Sequence, residues 1–324
     1  MVARTLVTGG AGFIGSHVVD KLLALGHDVV VVDNFSTGSR RFLEHNVSNP
    51  ALSVVELELL SDVDRLIEVA AGCHAIVHLA ANADVRFGWD HTRRDLEQNV
   101  IVTHNVCEAA RLANVHRLLF SSTGSVYGDT PVVPTPEDCP FPVQTSLYGA
   151  SKSAAEAFIA AYAEADRFCA TVFRFVSVIG PRYTHGHVVD FLKKLRADPN
   201  RLEILGDGNQ RKSYMAVSDC VDAIVSRIDA ATKFEVLNLG VDAYCTVRES
   251  ASWICARLGL DPEFVFTGGR QGWIGDNPYI WLDISRAQAL GWSPKFAIRE
   301  GIEQTVDYLR DNEWVLDRPD GAST

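Results

Sequence analysis

Residues 5–33, TLVTGGAGFIGSHVVDKLLALGHDVVVVD, constrain the fold more than any other stretch, because they read as strand, glycine turn, helix and second strand. Residues 5–8 make a short apolar strand. Gly9, Gly12 and Gly15 then fall three apart, and Gly10, Gly12 and Gly15 also satisfy G-x-G-x-x-G. Residues 16–25 carry apolar side chains at helical spacing and stop at Gly26, a C-terminal glycine signal. Residues 29–32 form a second buried strand that ends at Asp33. The first glycines permit a tight turn and let the backbone approach a pyrophosphate, while Gly15 lets helix and strand pack closely. Unpaired N–H groups at the helix N-terminus are left for the phosphates. Asp33, eighteen positions after Gly15, accepts hydrogen bonds from ribose hydroxyls and repels a 2′-phosphate. The pattern predicts a dinucleotide site that takes NAD rather than NADP.

Strand and helix patterns keep alternating through the first half. Strands read at 54–57, 75–79, 117–121 and 170–176, and helices at 63–70, 95–113 and 148–165. This alternation predicts an α/β fold built on a doubly wound parallel sheet (Rossmann), with ligands bound beyond the carboxyl ends of the strands. The second half is less regular, with Gly-, Pro- and Asn-rich loops at 180–187, 206–210 and 267–278. The expected division is an NAD-binding Rossmann domain over 1–178 and a smaller mixed α/β substrate domain over 179–324. Residues 213–241 are expected to return to the first, with the strand at 234–239 rejoining the main sheet.

A net charge of −11 argues against nucleic-acid binding, which needs a broad basic surface, but not against a small anion held by a few converging basic groups. No apolar run approaches the roughly 20 residues that cross a bilayer, and the first strand starts too early to leave room for a signal peptide. Seven cysteines without a C-x-x-C pair are expected as free, mostly buried thiols rather than disulfides or a metal site, which fits a cytoplasmic location.

Tyr148-Gly-Ala-Ser-Lys152 opens a helix, and its i, i+4 spacing puts phenol and ammonium on one face. A tyrosine near its usual pKa of about 10 is a poor base at neutral pH. A neighbouring lysine, helped by a nicotinamide's positive charge, favours the phenolate. Tyr148 is the only one of eight tyrosines with a lysine four residues on. Ser121-Ser122-Thr123 ends the preceding strand, where its hydroxyls would face the cofactor, and Thr123 is the candidate for a hydrogen bond to a reacting hydroxyl. His185 and His187 read as part of a polar substrate loop, since no third metal ligand stands at a useful spacing.

Together these residues resemble the extended short-chain dehydrogenase/reductase superfamily, specifically its nucleotide-sugar epimerases and dehydratases. TGGAGFIGSH, VVDN, HLAANADV, LEQNV, FSSTGSVYG, YGASK, GPR and GDGNQRKSY fall in the family's order from about Thr5 to Leu309. The resemblance implies NAD contacts at Gly9, Gly12, Phe13, Ile14, Gly15, Asp33, Asn34, Leu79, Ala80, Ala81, Asn99, Ser121, Tyr148 and Lys152. The 4,6-dehydratases carry T-D-E before V-Y-G, and the uronate decarboxylases keep a Glu there; here Thr123, Gly124 and Ser125 offer no carboxylate. That leaves a site for oxidation and re-reduction alone, similar to the UDP-glucose 4-epimerase group. By the resemblance Tyr148 takes the proton of the sugar 4-hydroxyl, Lys152 supports the tyrosine and binds the nicotinamide ribose, and Thr123 holds O4.

The substrate side departs from the family pattern. Lys212 stands at the diphosphate-binding arginine, with Arg211 just before it; Ser177 replaces an asparagine, and Leu147 a proline. The arginine expected before P-G-D is missing from the Trp273-Ile274-Gly275-Asp276 stretch, and Arg270 is the nearest substitute. Arg86, Thr123, Ser177, Arg182, Arg211, Lys212 and Arg270 are therefore the expected contacts to a nucleotide-diphosphate sugar, of glucose/galactose, N-acetylhexosamine or uronate type. A dehydratase, decarboxylase or reductase of the same family, and an NAD-sensing regulator on the same fold, stay open as alternatives. The resemblance also implies a homodimer through helices 95–113 and 148–165, whose Ala109, Ala110, Ala154, Ala155, Ala157, Ala160 and Ala161 allow close approach.

Overall fold

The computed structural model describes residues 3–83, 88–140, 143–269, 272 and 279–318. The first half runs β1 (Arg4–Thr8), α1 (Phe13–Ala24), β2 (Asp28–Asp33), β3 (Leu52–Glu56), α2 (Val63–Ala70) and β4 (Ala75–His78). It continues through α3 (Thr92–Asp95), a π-helical stretch (Leu96–Ile101), α4 (Val102–Leu112), β5 (Arg117–Thr123), α5 (Leu147–Glu164) and β6 (Cys169–Phe175). The second half holds β7 (Ser177–Ile179), α6 (His187–Ala197), β8 (Arg201–Ile204), β9 (Arg211–Lys212), β10 (Tyr214–Ala216), α7 (Val217–Ser226) and β11 (Phe234–Leu239). After these come β12 (Cys245–Thr246), α8 (Val247–Leu258), β13 (Glu263–Phe266), β14 (Tyr279–Ile280), α9 (Ser285–Ala289) and α10 (Ile298–Asp311).

Seven strands form one parallel sheet in the order β3-β2-β1-β4-β5-β6-β11. The strand at 234–239 joins beside β6, as its apolar run predicted. Strands such as LVT of β1 and AIVH of β4 are buried along their length, because helices cover both faces of a parallel sheet. Leu66, Val106 and Ile159 bring α2, α4 and α5 onto one face, while Val18, Leu22 and Ile224 bring α1 and α7 onto the other. The strand order reverses between β1 and β4, so a crevice opens at the carboxyl ends of β1, β4 and β5. Smaller pairings, β7 with β10, β8 with β13, and β9 with β12 and β14, carry the second half beside that crevice.

Three expectations need correction. The helix read as 95–113 is two α-helical segments flanking the π-helical stretch, whose wider turn brings Asn99 into the interior. α1 starts at Phe13 rather than Ser16, because Gly12 in extended geometry is already its N-cap. Ala109, Ala110 and Ala155 are fully buried against the protein's own sheet and so are not available to a second subunit, whereas Ala157 and Ala161 are exposed. All seven cysteines are free thiols, five of them buried. Among the described residues no helix is long and apolar enough to cross a membrane.

Candidate active site

The glycine turn after β1 is shaped by close backbone approach. Gly9 sits at φ +67°, and a Cβ there would lie 2.7 Å from the Ala80 nitrogen; a Cβ on Gly15 would strike the Gly9 carbonyl. Gly12 caps α1 without a side chain bonded to the first-turn N–H groups, so these are open to an anion. At the end of β2, Asp33 is only 7 % exposed and accepts hydrogen bonds from the Ala11 and Phe35 amides at 2.9 and 2.8 Å. Burial pushes its carboxyl up and those two N–H groups pull it back down. A cradle that excludes any Cβ, an uncapped helix start and a carboxylate with spare lone pairs fit the pyrophosphate and adenosine ribose of NAD.

Leu79, Ala80 and Ala81 follow β4 along the crevice, and the Thr8 hydroxyl accepts from the Leu79 and Ala80 amides at 3.2 and 3.3 Å. His78 beneath them bonds the hydroxyls of Thr8 (2.7 Å) and Thr103 (3.1 Å), and burial drives its pKa down to about 3, so it stays neutral. Asn99 acts as a brace. Its carbonyl accepts from the Asn82 amide at 2.9 Å, and its amide reaches Ser151 of α5 at 2.9 Å and Asp95 at 3.3 Å. Phe13 packs edge-on against His17 and Tyr183, and Ile14 is half-buried beside it. The Asn34 side chain is occupied by Glu58 at 2.8 Å and by Ser36, which makes it a loop-shaping residue here.

Tyr148, Lys152 and Thr123 converge. Ser146 caps α5 by accepting from the Gly149 amide at 3.0 Å, which fixes the first turn and with it Tyr148. The Tyr148 phenol hydrogen-bonds Thr123, whose own hydroxyl accepts from the Ser125 amide at 3.1 Å. Burial pushes the phenol up to about 12, the Thr123 bond pulls it down, and the Asp95 charge raises it further. The expected depression by Lys152 is absent from this balance. The ammonium is directed instead to the Ser121 carbonyl at 2.8 Å and lies 4.7 Å from the Phe120 ring centre. Burial lowers Lys152 to about 8, while Glu156 and Asp95 work in the opposite direction.

Two supporting groups escaped the sequence reading. Glu156, one turn beyond Lys152, is bonded by Ser122 and gripped by the Arg174 guanidinium at 2.7–3.2 Å. Arg174 also donates to the Tyr127 hydroxyl at 2.8 Å. The signal was present as a glutamate at helical spacing after Tyr148 and Lys152, and as a lone arginine inside the apolar strand CATVFRF. Asp95, buried and bonded by Asn82 at 2.8 Å, is the other.

On the substrate side the residues divide. Thr123 is in place and Ser177 is exposed at the start of β7. Successive strand residues face opposite ways, so Arg211 and Lys212 of β9 do not act as a pair. The Arg211 guanidinium lies over the rings of Tyr244 and Tyr279, at 5.2 and 5.6 Å. Lys212 shares its surroundings with His187, whose imidazole burial and the Lys212 charge push down to about 3. His187 bonds Ser250 at 2.7 Å and packs on Tyr214. Arg182, expected to close over the diphosphate, is paired with Asp20 at 2.8 Å. Arg86 and Arg270 lie outside the described residues, as do residues 273–276.

The sequence profile described as "NAD dependent epimerase/dehydratase family" matches residues 5–240. A UDP-glucose 4-epimerase of Mycolicibacterium smegmatis is 35% identical over 314 residues, covering 95% of this chain and 99% of the relative. UDP-glucuronic acid decarboxylase 1 of Xenopus tropicalis is 32% identical and covers 95% of this chain and 72% of its own length. A crystal structure of a UDP-galactose 4-epimerase superposes with a TM-score of 0.84 at 37% identity, covering 96% of this chain and all of the other. The Thermus thermophilus UDP-glucose 4-epimerase in complex with NAD gives a TM-score of 0.83 at 31% identity, covering 95% and 99%.

Proposed function

The chain belongs to the NAD-dependent epimerase/dehydratase family, and within that family we propose that it is a nucleotide-sugar 4-epimerase acting on a UDP-sugar. The observation that carries this reading is the Tyr148–Thr123 hydrogen bond at a strand end whose next residues, Gly124 and Ser125, bring no carboxylate. Water elimination and decarboxylation in the similar families use an acid or base there. Asp95, the carboxylate whose field reaches Tyr148, is held by the Asn82 and Asn99 amides. The relatives named decarboxylases are comparably similar overall, so the proposal rests on the strand-end residues.

NAD supplies, when bound, the hydride acceptor for C4 and later the donor. Tyr148 takes the proton from the 4-hydroxyl and returns it after the sugar presents its other face, while Thr123 holds O4 beside the phenol. A phenol at about 12 lies five units above neutrality, about 7 kcal/mol at 1.36 kcal/mol per unit. One unit charge about 5 Å away at an effective dielectric of about 20 supplies about 3 kcal/mol. In this reading Lys152, one turn along α5 from Tyr148, is the positive charge that favours the phenolate, and it would also hold the cofactor ribose. Lys212 is the diphosphate contact of this reading.

Nucleotide sugars with glucose, galactose, N-acetylhexosamine and uronate groups, incubated singly and read by NMR and mass spectrometry, test the assignment. A product of unchanged mass and inverted C4 supports it; loss of water or CO2 refutes it. We further propose a homodimer through α4 with its preceding π-helical stretch and α5, supported by the exposed apolar side chains of Ile101, Leu112 and Phe158.

A further inference from the structure

The segment after α10 reaches back to the adenosine end of the cofactor site. After α10 and a short 3-10 turn (Glu313–Val315), Arg318 Nη2 donates to the carbonyls of Thr37 at 2.6 Å and Gly38 at 3.0 Å, more than 270 residues earlier. Those carbonyls belong to the loop that follows β2 on the way to β3. Ser39 of that loop donates its amide to the Ala11 carbonyl at 2.8 Å, and Gly38 packs so closely on Asp33 that a Cβ would lie 2.7 Å from the carboxylate. The loop is thus one wall of the pocket in which Asp33 meets the ribose.

The rest of the segment is seated on the same region. Val315 and Leu316 are buried, Trp314 packs on Phe42 with ring centres 5.5 Å apart, and the Arg41 guanidinium lies 4.2 Å over Trp314. Arg318 itself stands 5.8 Å over the Phe42 ring. Its Nη1 is buried with no hydrogen-bond partner among the described residues. On the other side, Asp317 pairs with Arg196 of α6 at 2.8 Å, so the segment also spans toward the second half of the chain.

We propose that Arg318 is a positioning residue of the cofactor site, clamping the 34–39 loop against Asp33 and so retaining the adenosine end of NAD. Without the clamp, the two loop carbonyls lose their only cationic donor among the described hydrogen bonds, and the wall beside Asp33 opens. The requirement lies in the geometry of cofactor retention, not in the reaction at the sugar, so it holds whichever family activity the enzyme performs.

The test measures exchange of bound NAD for isotopically labelled NAD by mass spectrometry, in the wild type, Arg318→Ala, Arg318→Lys and a chain ending at Leu316. The expected result is NAD dissociation about tenfold faster in Arg318→Ala, the loss of one charge-assisted bond. Arg318→Lys, which keeps a charged donor, recovers most of the retention. Nucleotide-sugar affinity at saturating NAD stays within about twofold, since that contact is elsewhere. Unchanged exchange in both Arg318→Ala and the shortened chain overturns the proposal. So does an equal loss of nucleotide-sugar affinity at saturating NAD, which would mark a general structural role.

Discussion

Tyr148 and Lys152 share one face of α5, yet the protein gives them different partners: Thr123 for the phenol, the Ser121 carbonyl for the ammonium. Tyr148→Phe removes the proton carrier and keeps the ring, so kcat should fall by about 10³ or more while released NAD remains stoichiometric. A variant with a tenth of the wild-type kcat would remove Tyr148 from the role. Both residues were legible in the sequence because a phenol and an amine four apart on a helix start form a local pattern. The direction of the phenol's shift was not, because burial and Asp95, fixed by tertiary packing, outweigh the neighbour in sequence. Arg182 shows the same limit, since nothing in G-P-R announces that Asp20 takes the guanidinium.

Among the elements, the strands of the main sheet were legible because burial on both faces forces continuous apolar runs. The π-helical stretch was not: LEQNVI has ordinary helical spacing, and its register rests on Asn99 reaching Ser151 and Asn82. β9 puts Lys212 and Arg211 on opposite sides, which yields a paired prediction. Lys212→Ala should raise KM for the nucleotide sugar about tenfold or more, if the charge-assisted contact is worth about 1.5–3 kcal/mol. Arg211→Ala should change KM less than Lys212→Ala, because its guanidinium is spent on Tyr244 and Tyr279. Equal effects from initial-rate measurements would contradict that division. The buried Glu156–Arg174 pair joins α5 to β6, and Glu156→Gln should cost about 3–5 kcal/mol in a denaturant titration by removing the guanidinium's counter-charge.

At the scale of the whole molecule, His17, His78 and His187 are held neutral, with pKa values lowered to about 4, 3 and 3. The unfolded chain binds these protons from about pH 6.5 downward and the folded one does not. Stability should therefore fall as pH drops from 6.5 toward 4, by up to about 1.4 kcal/mol per unit for each histidine. Denaturant midpoints across that range check the slope, and His187→Gln should flatten it. Light scattering at micromolar concentration should give twice the chain mass if α4 and α5 form the subunit contact, and a monomer mass would count against it. Oxidation and re-reduction of the sugar at C4 can be followed with a UDP-sugar deuterated at C4. A C4-inverted product of unchanged mass that keeps its deuterium, with no accumulation of NADH, is the expected outcome. Deuterium lost to solvent, or a product lighter by water or CO2, would contradict it.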